Sequence, residues 1–181
     1  SAINNWEDRS SCILFGDGAG AAVVQAEEGE LYPSVAGSDG TMGHVLACES
    51  RVQNDWQKKE ADRKTYIDMD GTAVFKFAVR KMPEMAKSLM TQMHCTEADI
   101  DWFITHQANE RIIEAIAKRL KSDIAKFPMN IAECGNTSSA SIPILLDEMN
   151  RSGQLKDGHK IIMAGFGAGL SWGAVYMEWH A

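Results

Sequence analysis

Apolar residues recur along this chain in two rhythms. Short unbroken runs stand at Cys12-Ile13-Leu14-Phe15, Ala21-Ala22-Val23-Val24, Trp102-Phe103-Ile104 and Ile161-Ile162-Met163-Ala164. Runs of this length, bounded by glycine or polar residues, predict buried strands. Residues 171–179 alternate in part and predict a last strand. Leu31-Tyr32-Pro33-Ser34-Val35 fits an edge strand, where proline is tolerated. The other rhythm is helical. Val74, Ala78, Met82, Met85, Leu89 and Met93 follow one stripe after Asp70-Gly71-Thr72, and predict a helix to about Met93. Pro83 falls inside it and is expected to kink or split it. Ile112, Ile113, Ile116 and Leu120 predict a second helix, to about Lys121. A third runs from Ser138 to Arg151, with Pro143 in its first turns and Gly153 as its stop. The methionine stripe is core packing.

The resulting order is strand, strand, helix, strand, helix, helix, strand, strand. It predicts an α/β fold, a mixed five-stranded sheet with helices on both faces. Thr96-Glu97-Ala98-Asp99 reads as a capped turn before the strand at residues 101–105. Glu27-Glu28-Gly29-Glu30 reads as a charged turn. Residues 37–64 are polar and glycine-containing, and a loop that long is usually functional or mobile. Gly16-Asp17-Gly18-Ala19-Gly20 formally opens a dinucleotide fingerprint through Gly16, Gly18 and Ala21. That fingerprint must lead into a helix whose N-terminus holds the pyrophosphate. Here a strand is predicted next, so a structural turn is the better reading, with a nucleotide-binding module as the alternative.

Composition narrows the classes. The 181 residues are 45% hydrophobic and 24% charged, with a net charge of −7. An acidic chain of this kind argues against nucleic-acid binding. No run approaches the roughly 18 apolar residues that a membrane helix needs. Residues 1–8 lack the basic and apolar regions of a signal peptide, so the expected location is cytoplasmic. The absence of an initiator Met suggests processing or a fragment. Cys12, Cys48, Cys95 and Cys134 form no C-x-x-C pair, and a metal site is not expected. Cys12 reads as a small buried hydrophobe. Cys134 lies beside a suspected catalytic loop but has no basic residue nearby in sequence to lower its pKa, and reads as core. His44 and Cys48 alone do not make a metal site.

The chemistry concentrates in three loops. His106 stands where a strand ends and a helix begins, the crevice in which α/β sheets bind ligands. Alone it would read as a core histidine. Gln107, Asn109 and Arg111 beside it are costly to place there unless they bind something. Asn136 lies between Gly135 and Thr137 before another helix. A neutral imidazole and a carboxamide can both donate to one oxyanion, and the loop Gly165-Phe166-Gly167-Ala168-Gly169 can aim a backbone N–H at a second. The three loops are expected to converge on one active site, equipped for acyl transfer. Arg111 and Lys118 share a helix face, with Arg119 and Lys121 close by. That face suits an acidic partner, or is an ordinary solvated face.

Thr105-His106-Gln107-Ala108-Asn109, Gly135-Asn136-Thr137-Ser138, the segment Gly165 to Gly173 and Leu14-Phe15-Gly16-Asp17-Gly18-Ala19-Gly20 together resemble 3-oxoacyl-[acyl-carrier-protein] synthase III. His106 and Asn136 are 30 positions apart, and the order of the motifs matches. The resemblance covers residues 1–181 but only the C-terminal half of the family's chain. It implies a thiolase-like fold and a decarboxylating condensation of an acyl-CoA primer, usually acetyl-CoA, with malonyl-carrier protein in fatty-acid synthesis. It implies that His106 and Asn136 stabilise the thioester enolate. It also implies that the Ala168 position supplies a backbone N–H to the other oxyanion hole. That position is often glycine in the family, and alanine keeps the donor if its φ is permissive. Gln107, Ala108, Asn109, Glu110 and Arg111 match the carrier-protein and CoA contact region.

The resemblance implies no cofactor beyond these substrates. Its partners would be acyl-carrier protein, an acyl-CoA, an N-terminal half of the same enzyme, and a second copy in a homodimer. The family's nucleophilic cysteine belongs to a motif absent here, and none of the four cysteines has a matching context. The chain is therefore expected not to condense substrates alone. It reads as a fragment, a proteolytic product or one chain of a split synthase. A non-catalytic subunit of a heteromeric ketosynthase is the alternative.

Overall fold

The computed structural model describes residues 2–25, 28–29, 31–48 and 66–180. The long polar loop is thus described only to residue 48, where it holds a 3-10 helix, Gly40–Val45, and a short strand. Its remainder, with Glu27 and Glu30 of the charged turn, lies outside the described residues.

The sheet is built on the predicted apolar runs. Strand β4, Trp102–Thr105, pairs parallel with β5, Lys160–Gly167, with Trp102 opposite Ile161 and Thr105 opposite Ala164. Strand β5 pairs antiparallel with β6, Ser171–Glu178. Strand β6 pairs antiparallel with the edge strand β1, Ser34–Ser38. The order β1–β6–β5–β4 gives a mixed sheet, and β2, Leu46–Cys48, and β3, Ile67–Met69, form a separate two-stranded ladder.

Period-two alternation sends the strand residues to two cores. Phe103, Ile162, Ala164 and Tyr176 face helices α2, Gly71–Gln92, and α3, Glu110–Leu120. Ile104 and Ile161 face α5, Ser141–Arg151, through Leu145 and Met149. Both sheet faces are covered, as the sequence predicts.

Three expectations are corrected. The sheet has four strands among the described residues, not five. Residues 12–15 do not form a strand. The Asp8 carboxylate accepts the Ser10 N–H at 2.9 Å and the hydroxyls of Ser10 and Ser11 at 2.6 and 2.7 Å. That cap winds Arg9–Cys12 into a helical turn, α1, and only Phe15 bridges to another segment, at Asn136. Residues 21–25 join no sheet, and Val23 and Val24 are exposed because no described element covers them.

The second correction concerns Gly16 to Gly20, which forms neither a turn nor a strand, and no helix follows it. Its alternate glycines face the Cys134–Thr137 segment and the first turns of α5. A Cβ on Gly16 would lie 2.1 Å from the Cys134 carbonyl oxygen, one on Gly18 2.8 Å from Ile144, and one on Gly20 2.5 Å from Pro143. Gly16 serves close backbone approach, while Gly18 and Gly20 leave room for the Ile144 and Pro143 side chains; none is arranged as a dinucleotide loop. Third, Pro83 does not split α2, which runs unbroken from Gly71 to Gln92. A mid-helix proline costs about 3 kcal/mol. The buried Val74, Phe77, Met82, Met85, Leu89 and Met90 each return roughly 1.5–3 kcal/mol, so the packed face wins.

Gly16→Ala is expected to lower the urea-unfolding free energy by about 1–3 kcal/mol, because the clash is with backbone that cannot swing aside. Gly71→Ala, where no atom lies within 4 Å of the added Cβ, is expected to change it by less than about 0.5 kcal/mol. Equal effects would contradict the close-approach reading.

Candidate active site

Backbone pairing places each polar loop. The His106 N–H donates to the Ala164 carbonyl at 2.8 Å, carrying the β4–β5 ladder one residue past its end. His106 therefore stands beside Gly165, whose added Cβ would lie 3.8 Å from the His106 Cβ. Asn136 is held by a second short ladder. Its N–H donates to the Leu14 carbonyl at 2.8 Å, and its carbonyl accepts the Gly16 N–H at 2.9 Å. Gly135, at φ +67°, makes the bend that brings Asn136 there.

The side chains then have defined ends. The Asn136 Oδ1 accepts the Ser138 N–H at 2.9 Å, with Ser138 itself at positive φ. The acceptor end is thus used locally, and the Nδ2 end remains as the donor. The His106 ring stands edge-to-face with Phe166, centroids 5.6 Å apart, and its Nδ1 lies 2.7 Å from the Ser141 hydroxyl. Burial pushes the imidazole down from 6.5 to about 4, so it is neutral at pH 7.

All three loops line one pocket of about 730 Å³. His106, Asn136, Phe166 and Ala168 share its wall with Phe75 and Arg111. The size suits a drug-sized or thioester ligand, typically ~300–1,000 Å³. Ala168 opens a 3-10 turn, Ala168–Leu170, and its φ is not positive, so its Cβ carries no left-handed strain. The condition for an alanine at that position is met.

The segment after His106 divides. Arg111 and Glu110 are exposed at the start of α3, and Ala108 and Asn109 are half-buried at the pocket wall. The Asn109 Oδ1 accepts the Arg111 N–H at 2.9 Å and caps the helix. Gln107 does not fit a contact role and is corrected here. It is 0% exposed. Its amide nitrogen donates to the carbonyls of Thr105 and Pro128 at 2.9 and 3.4 Å, and its Oε1 accepts the Asn130 N–H at 3.3 Å. It is a fastener that ties this loop to residues 128–130.

Cys134 is half-buried; burial first, then the Glu148 and Glu133 carboxylates, raise its thiol above the ordinary range, the opposite of nucleophile activation. Burial likewise raises Cys95. Cys12 is half-buried as the last residue of α1 rather than in a strand core. Cys48 is exposed on the pocket rim. Among the described residues no three His, Cys, Asp or Glu side chains converge as metal ligands, and no helix is long and apolar enough to cross a membrane.

Sequence reasoning missed Ser141 and the wall residues Phe75 and Cys48. Ser141 was visible only as one of several small residues at a helix start. Phe75 belongs to the polar side of a helix that shows no sign of a pocket in its own pattern.

Comparisons with known proteins bear on the same segments. The model described as 3-Oxoacyl-[acyl-carrier-protein (ACP)] synthase III C terminal matches residues 90–179, and that described as 3-Oxoacyl-[acyl-carrier-protein (ACP)] synthase III matches residues 1–40. The chain is 45% identical over 182 residues to the beta-ketoacyl-[acyl-carrier-protein] synthase III of Clostridium novyi, covering 99% of this chain and 56% of that protein. It is 42% identical over 181 residues to the protein of the same name in Clostridium acetobutylicum, with 99% and 56% covered. The structure of 3-oxoacyl-[acyl-carrier-protein] synthase III from Aquifex aeolicus superposes with a TM-score of 0.87 at 38% identity, over 98% of this chain and 54% of that one. The Pseudomonas aeruginosa structure gives 0.84 at 36%, over 99% and 55%. The chain spans about half the length of the curated relatives it matches.

The His106 environment has a pH consequence. A folded-state value below 6.5 means the unfolded chain takes up the proton first. Stability from this group is therefore complete above about pH 6.5 and is lost as pH falls towards about 4. NMR titration of the His106 ring is expected to give a midpoint near 4; a midpoint at or above 6 would contradict the half-buried, neutral imidazole.

Proposed function

The chain belongs to the 3-oxoacyl-[acyl-carrier-protein] synthase III family, whose thiolase-like α/β fold it shares, and on that premise we propose that it supplies the decarboxylating half of such a condensing enzyme. The observation that supports this most is that a neutral imidazole and a carboxamide donor line one pocket together with a glycine-rich turn.

The steps follow from those groups. The thioester carbonyl of malonyl-carrier protein accepts hydrogen bonds from His106 and Asn136. The bond to the malonyl carboxylate breaks, its electron pair moves onto the thioester oxygen as an enolate, and CO2 leaves. Both donors strengthen as that oxygen gains charge. A neutral imidazole suits this role, since it donates through an N–H without the cost of keeping a charged imidazolium in this site. The enolate carbon then attacks an acyl group held as a cysteine thioester, earlier taken from an acyl-CoA with release of CoA. The resulting oxyanion accepts the Ala168 N–H, and collapse expels the cysteine thiolate and leaves 3-oxoacyl-carrier protein. The cysteine belongs to an N-terminal half that this chain works with. No cofactor takes part. Arg111, at the exposed mouth of the pocket, meets the acidic carrier protein. The assembled enzyme is a homodimer.

The test is an incubation with acetyl-CoA and malonyl-carrier protein. The chain alone is expected to give no 3-oxoacyl product, and addition of a cysteine-bearing synthase III half to restore it. His106→Ala and Asn136→Asp are each expected to cut the restored rate by about 10²–10³-fold, the usual loss for one oxyanion donor. Aspartate keeps the acceptor for the Ser138 N–H and puts a negatively charged acceptor where the donor was. Product from the chain alone would place the acyl carrier within this chain and overturn the division of labour.

Arg111→Glu is expected to raise KM for malonyl-carrier protein roughly tenfold at low salt with kcat little changed, and the difference to shrink as salt screens it. An unchanged KM would remove Arg111 from the docking surface.

A further inference from the structure

The Ser141 hydroxyl is a small group in a consequential place. Ser141 is 2% exposed, in the first turn of α5. Its Oγ accepts the Gln107 N–H at 3.2 Å and lies 2.7 Å from the His106 Nδ1. Gln107 is itself immobilised by its side-chain bonds to Thr105, Pro128 and Asn130, so its N–H is a fixed donor.

A hydroxyl has one proton to give and two lone pairs to fill. Among the described residues, the Gln107 N–H and the His106 Nδ1 are the hydrogen-bond partners of this one. If Nδ1 carried the ring proton, Oγ would accept two N–H groups, and its own proton would be buried without an acceptor. Leaving a buried donor unpaired is the costly arrangement. If the hydroxyl donates to Nδ1 instead, every group is satisfied. A neutral ring then has its proton on Nε2, the nitrogen remote from Ser141.

We propose that Ser141 is the positioning residue of the site: its hydroxyl, oriented by the Gln107 N–H, donates to the His106 Nδ1 and fixes the imidazole as an Nε2–H donor. The consequence for catalysis rests on the reading of His106 as an oxyanion donor given above. An Nδ1–H tautomer would present a lone pair, not a proton, at Nε2, and would repel the enolate oxygen. The assignment also gives the buried Gln107 a function at one remove, since its backbone sets which way the hydroxyl points.

The test is nitrogen-15 NMR of the ring in histidine-labelled chain at pH 7. The wild type is expected to show a protonated Nε2 and an unprotonated, hydrogen-bonded Nδ1. Ser141→Ala is expected to move the Nδ1 resonance to the position of an unbonded ring nitrogen, and Ser141→Thr, which keeps the hydroxyl, to restore it. A protonated Nδ1 in the wild type, or an Nδ1 resonance unmoved in Ser141→Ala, would overturn the proposal. If Ser141→Ala does not fold, the wild-type spectrum decides alone. In the reconstituted enzyme, Ser141→Ala is expected to lower kcat by roughly 10–100-fold with KM unchanged, the range typical of hydrogen bonds that hold an imidazole in place. The spectra need no turnover. The expected spectra without CO2 release would support Ser141 and reject the ketosynthase reading; a protonated Nδ1 with full turnover would do the reverse.

Discussion

The constraint on which the site depends is the parallel pairing of Trp102–Thr105 with β5, carried one residue further by the His106 N–H on the Ala164 carbonyl. A parallel ladder brings the C-terminal ends of its two strands out on the same side. Here one end leads into the His106 loop and the other into the glycine turn at Gly165 to Gly169. Neither loop needs to find the other, because their separation is set by the spacing between hydrogen-bonded strands. The strands are fixed in turn by side chains such as Ile104 and Ile161, which are fully buried on the α5 face. The core thus does the positioning, and the loops inherit it.

Asn136 reaches the same pocket by a weaker means, a two-bond backbone bridge to Leu14 and Gly16. It works only because Gly16 has no side chain and because Gly135 turns through positive φ. Asn136 is also the more exacting of the two groups, because its Oδ1 is already engaged by Ser138 and the amide has one orientation left. His106 is controlled electrostatically instead. Burial against Phe166 keeps it uncharged, and a charged imidazolium there would cost the desolvation that its lowered pKa records.

Much of this was legible in the residues. The runs at 102–104 and 161–164, the helical stripe through Met82 and Met85, and the stop at Lys121 are local signals, and the structure follows them. The three polar loops were legible as sites because each sits where a strand or helix must begin or end. What was hidden depended on partners distant in sequence. Residues 21–25 carry a strand's composition, but composition does not supply a neighbouring strand. Gly16, Gly18 and Gly20 look like a ligand loop in sequence, and only the positions of Cys134, Ile144 and Pro143 show that they accommodate the Cys134 backbone and the Ile144 and Pro143 side chains. Gln107 looks like an exposed recognition residue because it is polar and sits among polar neighbours. Its burial follows from three hydrogen-bond partners spread along the chain from Thr105 to Asn130.

Under the proposed function everything converges on one event, two donors acting on one carbonyl. The most direct measurement is isotope-edited infrared spectroscopy of a carbon-13 thioester carbonyl, in a malonyl-thioester analogue that cannot lose CO2, bound to the reconstituted enzyme. The expected result is a stretch at lower frequency than in water, part of the shift vanishing in His106→Ala and part in Asn136→Asp. A carbonyl stretch no lower than in water, or one indifferent to both substitutions, would contradict it.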